Sequence, residues 1–491
     1  MHRVLLLALV LVAFPAQRAH AQAQETYTDD PRIPGGLVGE RIRSVLNTLN
    51  APTPEVVERF MAEECTEEFQ NFGSLETHIA TWQFLSRTTG GVDFHSIRTY
   101  TPARERETVV VVKDRNYGAW RALRLFIDEG EARLLGGLLL DRYPGTPSDV
   151  EEPTLGEAEV IDETRRIVNR ICANDAFSGT VLLARGAEVL YSHACGEASK
   201  RFGVPVDIDT RFNLASVTKS FTGTAIVQLA EAGALSYDDL LSDHVDESWL
   251  PRELSSRIKL HHLLTHTSGL GDYYTEDYEG ASRELFRRLE DFKPHVRQDT
   301  LAFEPGSRYR YSNTGMFLLG VVVETVTGES YFDYVRAHIF EAAGMDDTDY
   351  FDRDDPVPDV ATGYYRDQNS QTGWRNDSFK LSVGSTPASQ AYSTVGDLHR
   401  FALALLNGTL VSQASLEVMW RRYGGGDGYG FQVHQRPIGM AVGHSGGSWG
   451  ASSQLTIYPE AGYIVVALSN YRTGAAPLVE RIEQLIERTV G

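Results

Sequence analysis

Ser216 and Lys219 stand three residues apart in Phe212-Asn213-Leu214-Ala215-Ser216-Val217-Thr218-Lys219-Ser220-Phe221, at the head of an apolar run. On a helix, positions i and i+3 share a face, so this hydroxyl and this amine would address the same space. A serine becomes a nucleophile when a neighbouring base takes its proton, and a partly desolvated lysine can be that base. The unpaired N–H groups of a helix start also favour negative charge developing beside them. The chemistry implied is acyl transfer through Ser216. A second S-x-x-K, Ser256-Arg257-Ile258-Lys259, follows the Trp249-Leu250-Pro251 break and opens no long amphipathic helix. That pair reads as an exposed serine and a solvated lysine.

Three other segments bear on Ser216. In Tyr309-Arg310-Tyr311-Ser312-Asn313-Thr314-Gly315 a phenol and an amide stand two residues apart, so an extended loop would turn Tyr311 and Asn313 toward one cleft. A phenol beside an ammonium can be lowered in pKa and can take or return a proton, and an amide can hold both a lysine and a substrate carbonyl. Gly443-His444-Ser445-Gly446-Gly447-Ser448-Trp449-Gly450 leads into a strand from Gln454. Glycines on a strand edge let backbone approach closely, and an N–H there can complete an oxyanion hole. The third segment, Leu263 to Leu270, holds His266 four residues after His262. That spacing invites a zinc reading, but the glutamate of H-E-x-x-H is missing and no third ligand stands nearby, so the histidines are read as structural and no metal or other cofactor is expected.

The elements that must position these residues are legible in outline. Residues 1–21 read as an export signal: Met1-His2-Arg3 is basic, Val4 to Phe14 is apolar but too short to span a bilayer, and Ala19-His20-Ala21 offers a cleavage site. A periplasmic or secreted protein without stable membrane insertion follows from that. The net charge of −21 argues against nucleic acid as a partner and leaves a small molecule or peptide as substrate. Three cysteines are too few for a disulfide framework. Residues 22–143 read as an α+β accessory domain with helices at Glu55 to Glu63 and Leu75 to Leu85. Strands are expected at Ser96 to Tyr100, Glu107 to Lys113, Trp120 to Asp128 and Ala132 to Asp141, a pattern comparable to cystatin or nuclear-transport-factor-2 folds. It holds no catalytic constellation, and its sequence names no partner. Residues 144–157, rich in proline and acidic residues, read as a linker. In 158–491, strands Thr180 to Ala184 and Glu188 to Ala194 lie near one end, and Gln454 to Tyr458 and Tyr463 to Ser469 near the other. One sheet assembled from both ends, with helices inserted between, is expected.

Ser216-Val-Thr-Lys219, Tyr311-Ser-Asn313 and His444-Ser-Gly446, in that order, resemble the serine β-lactamase and penicillin-binding protein superfamily. The branch is the one holding class C β-lactamases, D,D-carboxypeptidases, D-aminopeptidases and related esterases. Leu263 to Leu270, Phe303-Glu304-Pro305-Gly306 and Thr394-Val395-Gly396-Asp397-Leu398 agree with it, and the likeness covers about Ala158 to Val490. The resemblance implies an α/β, β-lactamase/transpeptidase-like fold: an antiparallel sheet flanked by helices, with a helical subdomain. It implies Ser216 as nucleophile, Lys219 and Tyr311 sharing the proton, and Asn313 orienting lysine and substrate. The N–H groups of Ser216 and Gly447, on the His444–Gly446 strand, would form the oxyanion hole. His444 stands where class C β-lactamases usually carry lysine, which favours the peptidase, aminopeptidase and esterase relatives over a β-lactamase proper. A binding or scaffold protein that keeps the fold without turnover is the alternative of a different class.

Overall fold

The computed structural model describes residues 26–489 except 105, 129, 131–133, 142–143 and 368. The export signal lies outside the described residues, as do parts of the expected turn at 128–131 and of the strand from Ala132. The described residues divide into two compact units, one of residues 26–156 with 166–176, the other of 157–165 with 177–489.

In the first unit, β1 (Thr26–Asp30) is followed by α1 (Gly36–Asn50), α2 (Pro54–Glu64), α3 (Glu67–Asn71) and α4 (Leu75–Thr89). An antiparallel meander then runs through β2 (Val92–Thr101), β3 (Thr108–Asp114), β4 (Trp120–Ile127) and β5 (Leu135–Asp141), with β1 on the outer edge of β2. Thr53, Thr66 and Ser74 start α2, α3 and α4 by accepting the N–H groups of Val56, Phe69 and Thr77. The helices bury Ile42, Val45, Val57, Phe60 and Trp82 on the Val110, Val112, Leu123 and Leu125 face of the sheet. The helix-on-sheet layering is as expected, but α1, α3 and β1 were not among the expected elements. Gly36 and Gly39 weaken the helical signal of α1, and Thr-Tyr-Thr-Asp-Asp has no apolar alternation to mark β1.

α5 (Glu157–Ala173) is shared, its residues 157–165 counted with the second unit and 166–173 with the first; the other main elements of the second unit are β6 (Gly179–Arg185), β7 (Glu188–Cys195), α6 (Lys219–Glu231), α7 (Asn313–Thr327) and α8 (Val395–Leu406). They are followed by β8 (Gln432–Arg436), β9 (Gly439–Ser448), β10 (Ala451–Ile457), β11 (Tyr463–Ser469) and α9 (Ala475–Glu487). The strands form one antiparallel sheet in the order β8-β9-β10-β11-β6-β7. The last strand therefore pairs with the first, from Tyr463↔Arg185 to Ser469↔Gly179, as expected of a sheet built from both ends. α6 is buried on nearly every side, from Lys219 through Val227 and again at Leu229, and its polar Ser220, Thr222 and Thr224 lie inside with its apolar residues. Its Phe221 meets Phe340 and Phe401 edge-on at about 5 Å (5.0 and 4.9 Å). α7 packs against α6, which brings Tyr311 and Asn313 to the nucleophile's end of the core. No helix of the described residues is long and apolar enough to cross a membrane.

Candidate active site

Ser216 lies in a 3-10 turn, Ala215–Thr218, that runs into α6 at Lys219. At three residues per turn, i and i+3 eclipse, so the turn aligns the two side chains more directly than the expected α-helix would. Lys219 Nζ donates to Ser216 Oγ at 3.0 Å and to the Ala388 carbonyl at 2.7 Å. Ala215 enters the turn at φ 44°, its N–H held by Asn213 Oδ1 at 2.8 Å. His266 and Gln390 are also left-handed, at φ 55° and 77°. A non-glycine residue in this region costs about 1–2 kcal/mol, and such strain gathers where a site fixes its backbone.

Lys219 is fully buried. Burial lowers its amine to about 7, while the Asp272 carboxylate pushes back. A sizeable fraction is therefore uncharged at neutral pH and able to accept the Ser216 proton. The Tyr311 ring lies 4.9 Å from Lys219 Nζ, and the Ser216 hydroxyl favours the phenol's ionised form slightly. Burial pushes this phenol above its ordinary pKa, the reverse of the lowering expected from a nearby ammonium. Tyr311 thus stays protonated and is suited to donate rather than to accept.

Tyr311 and Asn313 do not share an extended loop. Ser312 caps α7, its Oγ accepting the Gly315 N–H at 2.8 Å and donating to the Gly271 carbonyl at 2.9 Å, and Asn313 opens the helix. Asn313 was expected to orient the lysine, but its Nδ2 donates to Asp272 Oδ2 at 2.7 Å. The lysine is held by Ser216 and Ala388 instead, and Asn313 reaches it only through the charge of Asp272.

β8 pairs with β9 only as far as Gln432↔Gly443, which leaves the outer edge of β9 from His444 onward open toward the nucleophile turn. Gly446 is required there: a Cβ would lie 2.2 Å from the Leu214 carbonyl oxygen and 3.0 Å from the Ser216 nitrogen. Gly447 follows with open space around it, one position along the same edge. His444 is buried, its Nδ1 donating to the Ser445 carbonyl at 2.6 Å. Burial, then the charge of Lys219, lowers it to about 3, so the imidazole is neutral.

Sequence reasoning missed Asp272, Ala388 and the role of His266. The His266 ring leans on Tyr311 (4.4 Å, 33°), and its Nδ1 accepts the Ser312 N–H at 3.1 Å. It is a positioning residue for the phenol. Tyr309, edge-on to His266 at 6.1 Å, donates to Asp427 Oδ2 at 2.7 Å, a carboxyl that burial raises to about 6. His262 Nδ1 accepts the Lys259 N–H at 3.1 Å, so both histidines of the zinc-like spacing have a ring nitrogen committed to backbone. In the second S-x-x-K, Ser256 ends a short helical turn and Lys259 pairs with Asp238 at 2.8 Å on the surface.

The beta-lactamase family model matches residues 165–488. A penicillin-binding protein of Bacillus subtilis (strain 168) is 32% identical over 312 residues, covering 60% of this chain and 68% of that one. Esterase EstB of Burkholderia gladioli is 36% identical over 183 residues, covering 34% of this chain and 45% of the esterase. Among solved structures, a penicillin-binding protein from Bacillus halodurans superposes with a TM-score of 0.59 at 33% identity, over 65% of this chain and 98% of its own. With the family model matching most of the second unit, and with esterase and penicillin-binding proteins among the relatives, the chain belongs to the beta-lactamase family of serine hydrolases.

Proposed function

We propose that the protein is an exported hydrolase that passes an acyl group through Ser216 to water, acting on amides or esters such as D-amino-acid peptides or small esters. The observation that carries this is the fully buried Lys219 amine, lowered to about 7 and bonded to Ser216 Oγ at 3.0 Å. Ser216 Oγ attacks the carbonyl carbon as its proton passes to Lys219. The oxyanion is held by the N–H groups of Ser216 and Gly447. Tyr311 returns a proton to the leaving amine or alcohol as the carbon–heteroatom bond breaks, and is replenished from Lys219. Water then attacks the Ser216 ester, Lys219 accepting its proton and passing it to Ser216 Oγ as the acyl–oxygen bond breaks, so that the acid leaves and free serine and neutral lysine return. Export is supported by the charge and hydropathy pattern of residues 1–21.

The neutral His444 favours this reading over a β-lactamase proper. A buried imidazole lowered to about 3 offers no positive charge to a substrate carboxylate at that position. The relatives' names span penicillin-binding proteins, an esterase and a D-aminopeptidase of Brucella anthropi, which keeps both ester and amide substrates in the proposal. A fluorophosphonate probe is expected to label the wild type and not Ser216→Ala. A p-nitrophenyl ester, a D-amino-acid amide, a D-alanyl-D-alanine peptide and a β-lactam then rank the substrates, the β-lactam last. Absence of labelling, or full labelling of Ser216→Ala, overturns the proposal and leaves the scaffold alternative.

A further inference from the structure

Trp449 stands at the tip of the β9–β10 hairpin, directly after Ser448, and carries two cations on its ring. Lys380 Nζ is 4.5 Å and Arg472 Cζ 5.0 Å from the ring centroid. Tyr365 closes one side, its ring 5.1 Å from Trp449 at 62° and 5.8 Å from Lys380 Nζ. Among the described residues neither cation forms an ion pair, because the carboxylates of the same segment are held elsewhere. Asp377 is bonded by Arg353 at 2.6 Å, and Asp367, which also feels Lys380, is bonded by Arg375. Burial without a counter-ion holds the Arg472 guanidinium below its ordinary pKa. In a chain of net charge −21, two cations outside any ion pair converging on one indole make a site for an anion.

The direction of the substrate follows from the proton donor. The leaving group must meet Tyr311, whose ring lies 6.4 Å from that of His444. β9 therefore runs from His444 beside the leaving group, past Gly447 at the oxyanion, to Trp449 beside the acyl chain. Trp449, in the turn just past the end of β9, is two positions on from Gly447, a span of at most roughly 7 Å.

Resting on the acyl-serine reading, we infer that Trp449, Lys380 and Arg472 form an acyl-side subsite for a substrate carboxylate. The preferred substrates are then esters or amides whose acyl chain carries an acidic group roughly 7–10 Å from the scissile carbonyl. Charge recognition, absent at His444 on the leaving-group side, is moved to the opposite end of the same strand.

Mono-p-nitrophenyl suberate and p-nitrophenyl octanoate, which differ at the far end of the acyl chain in a carboxylate against a methyl, test this. The wild type is expected to favour the suberate about tenfold or more in kcat/KM, chiefly through KM, with the preference eroding in 0.5 M salt. Lys380→Met with Arg472→Met brings the ratio of the two esters to about one, whereas Lys380→Arg with Arg472→Lys keeps the preference. A wild type that hydrolyses octanoate through Ser216 without favouring suberate overturns the subsite alone, as does a preference that survives the double methionine variant. A wild type that hydrolyses neither ester and resists the fluorophosphonate overturns the acyl-serine reading and the subsite with it.

Discussion

Asn313 Nδ2 donates to Asp272 Oδ2 at 2.7 Å, which fixes a carboxylate whose charge reaches the buried amine of Lys219. Two opposed effects therefore set the lysine: burial, the larger, drives it toward the neutral amine, and Asp272 stabilises the ammonium. Because the proposed chemistry needs the neutral amine, kcat/KM on a neutral ester is expected to rise through about pH 7 and then level off.

Asp272→Asn removes the group that favours the ammonium, so the rising limb is expected to move to lower pH. A shift of about half a unit to one unit is the size one partly screened charge produces. A profile from pH 5 to 9 on wild type and variant reads it. A limb that moves toward alkaline pH would show that Asp272 acts on something other than Lys219.

Gly446 and Gly447 are neighbours with opposite tolerance. An added Cβ at Gly446 would press on the Leu214 carbonyl and the Ser216 nitrogen, and both contacts are backbone that cannot swing aside. Gly446→Ala is expected to lower kcat by about a hundredfold or more by parting β9 from the nucleophile turn, as misplaced oxyanion donors do. Gly447→Ala meets open space and is expected to keep its rate within about fivefold. Equal losses at the two positions would contradict the proposed approach of the strand.

Ser216, Lys219 and Tyr311 were legible because their signals are local: a three-residue spacing, and a short motif ahead of an apolar run. The pairing of β11 with β6 was legible because each is a short apolar run in a hairpin pattern near its end of the domain. What escaped is long-range. Asn313 and Asp272 are 41 positions apart, and Lys219 and Ala388 are 169 apart, so no window of sequence presents either pair. The 3-10 turn under Ser216 is likewise held from afar, by the Leu214 N–H on the Ala391 carbonyl at 2.8 Å. The raised pKa of Tyr311 comes from burial, which the spacing of a motif does not disclose.

His266 leans on Tyr311 and fixes the residue that follows it through the Ser312 N–H. His266→Ala removes both and is expected to lower kcat by roughly ten- to a hundredfold with little change in KM, since it acts by orienting the phenol rather than by binding substrate. Steady-state kinetics on the preferred ester separate the two parameters. A change confined to KM would place His266 in substrate binding.

The same buried histidines make the second unit sensitive to acid. His444 is lowered to about 3 and His266 well below its ordinary value, in both cases chiefly by burial. Above about pH 6.5 both are neutral whether the chain is folded or not, and they cost nothing. Below it the unfolded chain binds protons that the folded chain refuses, so stability falls with pH by about 1.4 kcal/mol per unit for each histidine. Lys219 does not add to this slope, because its penalty accumulates between about 10.5 and 7 and is constant below. The buried carboxyls Asp427 and Glu483, raised to about 6 and about 7, act in the opposite sense as they take up protons on folding. The informative quantity is therefore the difference between His444→Asn and wild type in urea unfolding at pH 7.5, 6.5, 5.5 and 4.5. It is expected to be flat above pH 6.5 and to shift in favour of the variant by about 1.4 kcal/mol per unit below it. Curves that stay parallel down to pH 4.5 would mean that His444 is protonated in the folded protein and does offer a charge to the cleft.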